Sequence, residues 1–122
     1  MNNTEVVNTT SKYIVKTTGI GNETNEILVD AEELTEGTDG SKVSLIECYY
    51  LIEGAGTLTI DAASETETQA AGITVAKPLS LTGKGKYGLR PNQLKYGNDK
   101  QFKLTTDSNV KSYLLVTEFR RN

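Results

Sequence analysis

Polar and apolar residues alternate along most of this chain, and no stretch sustains helical spacing. The segment 57–62 shows the pattern plainly. Leu58, Ile60 and Ala62 alternate with Thr57, Thr59 and Asp61, the period-two signature of a half-buried strand. The same reading predicts strands over Lys12–Thr17, Glu26–Asp30, Lys42–Glu53, Gly56–Ala62, Gly72–Lys77, Leu79–Thr82, Lys86–Leu89, Gln101–Thr106 and Val110–Arg120. Their spacing is that of sandwiches and barrels. In Val43–Ile52 both alternating sets are largely apolar: Val43, Leu45, Tyr49 and Leu51 on one, Ile46, Cys48, Tyr50 and Ile52 on the other. The last strand is two-sided as well, with Val110, Leu114 and Val116 opposite Tyr113, Leu115 and Phe119. Two such strands exceed what one small core needs, which points to self-association. Gly54-Ala55-Gly56 reads as a tight hairpin loop. Turns are also expected at Asp39-Gly40, Gly97-Asn98-Asp99 and Asp107-Ser108-Asn109. The one helical candidate is Asp30-Ala-Glu-Glu-Leu-Thr-Glu, two turns at most, ending at Gly37. The expected fold is therefore all-β, a β-sandwich of jelly-roll type with an extended N-terminal arm. The polar, Asn- and Thr-rich residues 1–11 form the flexible arm, and residues 12–122 form a single domain.

Composition narrows the chemistry. The 122 residues suffice for one core, which should bury roughly two thirds of the unfolded surface. Seventeen threonines reinforce the β bias. There is no histidine, which excludes Ser-His-Asp and Cys-His catalysis and His-ligated metal. A single cysteine, Cys48, excludes an internal disulfide and a thiolate zinc site, and its apolar neighbours predict a buried, inert thiol. No apolar run approaches the roughly 20 residues of a membrane span. Residues 1–10 lack the basic and apolar regions of a secretory signal.

Charge is unevenly placed. Residues 1–80 carry 4 basic and 13 acidic side chains; residues 81–122 carry 9 and 3. The chain either presents an acidic and a basic face, fit to dock on complementary surfaces, or interleaves its strands and mixes the charges. Lys84, Lys86, Arg90, Lys95, Lys100 and Lys103 stand among Tyr87, Tyr96 and Phe102, the mixture used to bind single-stranded nucleic acid. The overall pI near 5.0 argues against that use, so no nucleic-acid partner is expected. The glycines of Thr82–Gly88 lack the spacing and the helix of a phosphate loop. Glu47, Glu53 and Asp61 would approach one another if Val43–Glu53 and Thr57–Asp61 formed a hairpin. Solvated polar-face residues are the commoner outcome of such spacing. No cofactor, metal or catalytic residue is expected.

Two resemblances add to this reading. Tyr49-Tyr50-Leu51-Ile52-Glu53-Gly54-Ala55-Gly56-Thr57-Leu58-Thr59-Ile60 resembles a cupin strand pair without the cupin histidines, which implies jelly-roll geometry and not catalysis. Three longer stretches are Glu47–Tyr50 running into Gly56–Ile60, Leu81–Pro91, and Leu104–Val110 continuing to Val116–Arg121. Together with the Asn/Thr arm leading into Ser11–Lys16, this pattern resembles small virion structural proteins of marine tailed phages, including cyanophages. The resemblance implies a non-enzymatic, virion-located capsid decoration (cement) protein. Its partners would be the major capsid protein and further copies of itself, with no membrane. The contacts expected under it are Asn2, Asn3, Thr4, Asn8, Thr9 and Thr10 of the arm and the basic set Lys84, Lys86, Arg90 and Lys95. The alternative is a tail, fibre or adhesin module that stacks Tyr87 and Tyr96 on a host glycan or receptor.

Overall fold

The alternation predicted for Leu58–Ala62 is realised: Leu58, Ile60 and Ala62 are buried, and Thr59 and Asp61 face outward. A computed structural model of the chain describes residues 1–88 and 96–122. In chain order the strands are β1 (Asn2–Asn8), β2 (Lys12–Gly19), β3 (Glu26–Asp30), β4 (Val43–Gly54), β5 (Leu58–Ala62) and β6 (Thr66–Thr68). They continue with β7 (Thr74–Ala76), β8 (Leu79–Leu81), β9 (Lys84–Gly88), β10 (Tyr96–Asp99), β11 (Gln101–Thr106) and β12 (Val110–Arg121). All pairings are antiparallel. A six-stranded sheet runs β1-β2-β12-β4-β10, with β9 beside β10 along the same edge of β4. A four-stranded sheet runs β3-β11-β5-β8, and β6 and β7 form a separate ribbon.

The two large sheets pack face to face as a β-sandwich. Phe102 of β11 meets Phe119 of β12 edge-on, with ring centroids 5.1 Å apart. Tyr13 and Tyr96 flank this pair, each 6.4 Å from its partner ring. Val15, Val43, Leu45, Cys48, Leu58, Ile60, Leu104 and Leu115 complete a fully buried centre. Each large apolar side chain removed from water there contributes about 1.5–3 kcal/mol. Polar groups in this interior find partners: Thr17 Oγ1 donates to Asn3 Oδ1 at 2.7 Å, and Thr106 Oγ1 to the Ile20 carbonyl at 2.9 Å. Glu23 accepts the Tyr113 hydroxyl and pairs with the Met1 ammonium at 2.9 Å.

Several expectations are corrected. The N-terminal segment is not a free arm. Asn2–Asn8 pair with β2 from Asn2↔Thr18 to Asn8↔Tyr13, forming an edge strand of the larger sheet. Its short polar side chains suit an edge, where one face and one flank stay in water. Gly54–Gly56 is not a hairpin loop: β4 and β5 lie in different sheets, so the segment crosses the sandwich. Gly54 has φ +99°, and a Cβ on Gly56 would stand 2.3 Å from Asp107 Oδ1, so only glycine lets the β11–β12 turn approach so closely. Asp107 secures that approach by accepting the Thr57 and Asn109 amides, both at 3.0 Å. The helical candidate shrinks to a 3-10 turn, Ala31–Glu33, capped by Asp30 Oδ1 on the Glu32 amide at 3.1 Å. Gly97-Asn98-Asp99, expected as a turn, lies in β10, which the expected strand set lacks, as it lacks β6. The two charge blocks do not separate. β12 lies between β2 and β4, β11 lies between β3 and β5, and Lys86–Glu47 and Lys100–Glu32 pair across the blocks at 3.5 and 3.0 Å.

Candidate partner-binding face

Register decides which expected contact residues meet. Directly paired residues in a sheet share a face. Following the pairs outward gives one row Lys84–Leu51–Leu114–Thr18–Asn2 and a second row Lys86–Tyr49–Val116–Lys16–Thr4. These rows lie on the outer side of the six-stranded sheet, because the residues between them (Tyr50, Leu115, Thr17, Asn3) point toward the other sheet or the groove beside it. Lys84 and Lys86 therefore border one margin of a single face, and Asn2 and Thr4 border the other. Four strand spacings of about 4.8 Å put roughly 19 Å between the margins.

The middle of this face is apolar. Tyr49 is 47% exposed and Leu51 44%, and Leu114, Val116 and Ile14 are half-buried beside them. Among the described residues, no element covers it. Lys86 Nζ sits 5.1 Å from the centroid of the Tyr49 ring and 3.5 Å from Glu47 Oε2. The Tyr49 phenol first, then the Glu47 charge, hold the Lys86 ammonium above its ordinary range. The lysine thus stays cationic at the rim of an aromatic patch, a geometry that suits a partner with both an apolar ridge and carboxylates.

The other expected contacts fall differently. Asn3 and Asn8 point to the inner side of β1. Asn3 Nδ2 donates to the Leu28 carbonyl at 3.4 Å and so ties the edges of the two sheets together. Asn8 Oδ1 accepts Arg121 Nη1 at 2.7 Å, and the same guanidinium donates to the Thr9 and Thr35 carbonyls at 2.8 and 2.6 Å. Thr9 Oγ1 accepts the Lys12 amide at 3.1 Å within the β1–β2 turn, and Thr10 is exposed beside it. Arg90 and Lys95 lie outside the described residues. Tyr96 and Phe102 are buried, so these two rings are not available for nucleic-acid or glycan stacking, and Tyr87 is half-buried, paired opposite Cys48. Burial also pushes the Cys48 thiol up to about 12. Glu47 and Glu53 lie on β4 and Asp61 on the other sheet, so the carboxylates do not converge. Among the described residues, no cluster of three or more carboxylates or thiols is placed to hold a metal.

The patch members Tyr49, Leu51, Leu114 and Val116 are absent from the expected contact set, although their signal is present in the two-sided apolar pattern of β4 and β12. Fold and face together define a class: a β-sandwich presenting one open, lysine-bordered apolar sheet face. The chain matches no family model, no curated protein and no solved structure.

Proposed function

We propose that this chain is a non-enzymatic structural protein of a phage particle, a decoration protein that binds the outer surface of the head through the outer face of its six-stranded sheet. The observation that carries the reading is the uncovered Tyr49–Leu51–Leu114–Val116 patch between Lys84/Lys86 and Asn2/Thr4. A chain exposing such a patch gains by covering it with a partner, and a decoration protein needs nothing more than a rigid body and a docking face. Strand order supports a jelly-roll path. One sheet contains β2-β12-β4-β9 and the other is β3-β11-β5-β8, the alternation produced when a long hairpin is rolled into two four-stranded layers. Such a protein stabilises the shell by mass action, because it binds the assembled surface and not the separated subunits. The lysine border suits a shell surface rich in carboxylates.

The test is copy number in purified particles, obtained by quantifying peptides of this chain against the major capsid protein. A ratio near one, or a simple fraction of one, is expected. A handful of copies per particle would move the protein to the tail, where the exposed Tyr49 ring becomes a candidate platform for a sugar. Absence from particles would overturn the virion reading.

A further inference from the structure

The ribbon of β6 and β7 belongs to neither large sheet, and it is built as a stiff stalk with a bare tip. Its base is fixed. The Lys77 amide donates to the Glu65 carbonyl at 2.9 Å, Glu65 Oε1 accepts the Gly97 amide at 2.7 Å, and the Tyr96 hydroxyl donates to the Lys77 carbonyl. Its tip, Gln69–Ile73, closes through the Gln69 amide on the Ile73 carbonyl and the Gly72 amide on the Gln69 carbonyl, both at 2.8 Å, and among the described residues makes no hydrogen bond outside the ribbon. Ala70 and Ala71 are exposed, and Ile73 is 57% exposed. Ribbons with three-residue strands are marginal alone in water. An anchored one that displays an isoleucine has the form of an arm reaching for a second surface.

A receptor for that tip lies at its own foot. A hollow of about 300 Å³ on the outer side of the four-stranded sheet is lined by Ala62, Ala63 and Ala76 and bordered by Asp61, Asp99, Lys100 and Lys103. Its size is at the low end for ligand pockets, with room for one branched side chain. Ala76 belongs both to the ribbon and to the hollow. Adjacent donor and acceptor patches are what a two-fold interface requires, since each copy must present both on one surface. Charge agrees. Glu67 is exposed on β6, and Lys103, opposite Asp61 in the sheet register, is exposed at the hollow and makes no ion pair within 4.0 Å among the described residues, whereas Lys100 is taken by Glu32 at 3.0 Å.

We infer that the occupant is a second copy of this chain: the ribbons exchange about a two-fold axis, Ile73 of each copy enters the hollow lined by Ala63 and Ala76 of the other, and Glu67 meets Lys103. This goes beyond head binding, uses a different surface, and is tested with the purified chain alone. Sedimentation velocity over a concentration series should show a reversible dimer. Ile73→Asp should raise its dissociation constant by about tenfold or more, since each of the two copies loses a buried aliphatic side chain. Lys103→Glu and Glu67→Lys should each weaken the dimer, and the double variant Glu67→Lys/Lys103→Glu should restore it. Tyr49→Asp, on the open sheet face, should leave it unchanged. All these positions are exposed, and circular dichroism of each variant is the check that it is folded. A monomer at every concentration, a dimer indifferent to Ile73→Asp, or a dimer lost with Tyr49→Asp instead would each overturn the proposal.

Discussion

The two sides of the β4–β12 pair differ in what surrounds the same backbone. On the inner side Leu45, Cys48, Leu115 and Phe119 are fully buried against the second sheet. On the outer side Tyr49 and Leu51 stand nearly half exposed beside Leu114 and Val116. Residue type alone does not separate the sides, since both are apolar. What separates them is whether this chain supplies a covering layer. The inner side is apolar because folding demands it; the outer side is apolar without any folding demand.

The largest effect should come from the inner side. Phe119→Ala removes the ring that links β12 to Phe102 of the facing sheet, and large core truncations of this kind cost about 3–5 kcal/mol. Urea denaturation of the variant beside the parent chain measures the loss. A cost below about 1 kcal/mol, within the ordinary range of surface changes, would mean that the sheets are not held together through this aromatic pair.

How far this contrast is legible in the sequence depends on β-bulges. Glu26–Asp30 and Gln101–Thr106 are read to the residue: the second alternates without a break, and the first is a short apolar run that polar turn residues precede, although a bulge at Leu28 buries Leu28 and Val29 together. β4 reads as two apolar faces for a mixed reason. The register shifts between Glu118↔Glu47 and Phe119↔Leu45, leaving Ile46 as an extra residue, so Val43 and Leu45 point inward with Cys48 and Ile52 although their parities differ. A strict period of two cannot represent that phase change. A similar shift at Lys111 turns Val110 inward with Tyr113. Once these shifts are allowed for, the surplus apolar residues reduce to the outer patch, which is the candidate site. β1 escapes a sequence reading because Asn and Thr serve flexible segments and polar edge strands equally. Pairing with β2, a tertiary fact, decides between them. β6 escapes because Thr66–Thr68 carries no apolar alternation at all.

The inner side also predicts how stability responds to alkali. Burial holds the Cys48 thiol up to about 12, from an ordinary 9.0. Burial first, with Glu65 and Asp61 adding to it, holds the Tyr96 hydroxyl up to about 12, from 10.0. Both groups keep their protons in the folded state at a pH where the unfolded chain has released them. Their contribution is therefore fully present below about pH 9 and is lost progressively as pH climbs toward 12. Urea midpoints measured at neutral pH and near pH 11 should fall, with Cys48 accounting for the earlier part of the decline. A midpoint unchanged across that interval would show that neither group is shielded from water as the packing requires.

The smallest effect on stability should come from the outer patch, and it is the most informative. Tyr49→Thr with Leu51→Thr replaces both exposed apolar side chains by a residue that keeps the strand preference and discards the grease. Substitutions away from the core usually change stability by no more than about 0.5 kcal/mol each, so the double variant should unfold within about 1 kcal/mol of the parent. The ring beneath Lys86 is lost at the same time, which at an exposed site removes only about 0.5–1 kcal/mol of attraction. Binding to heads stripped of this protein should nevertheless fall about tenfold or more, because side chains left half exposed by folding can contribute mainly to association. Two measurements on one variant thus separate the faces. Small loss of stability with large loss of binding assigns the patch to a partner. A stability loss of several kcal/mol would assign it to the fold itself, and unchanged binding would return the search to the β1 and β9 margins of the same sheet.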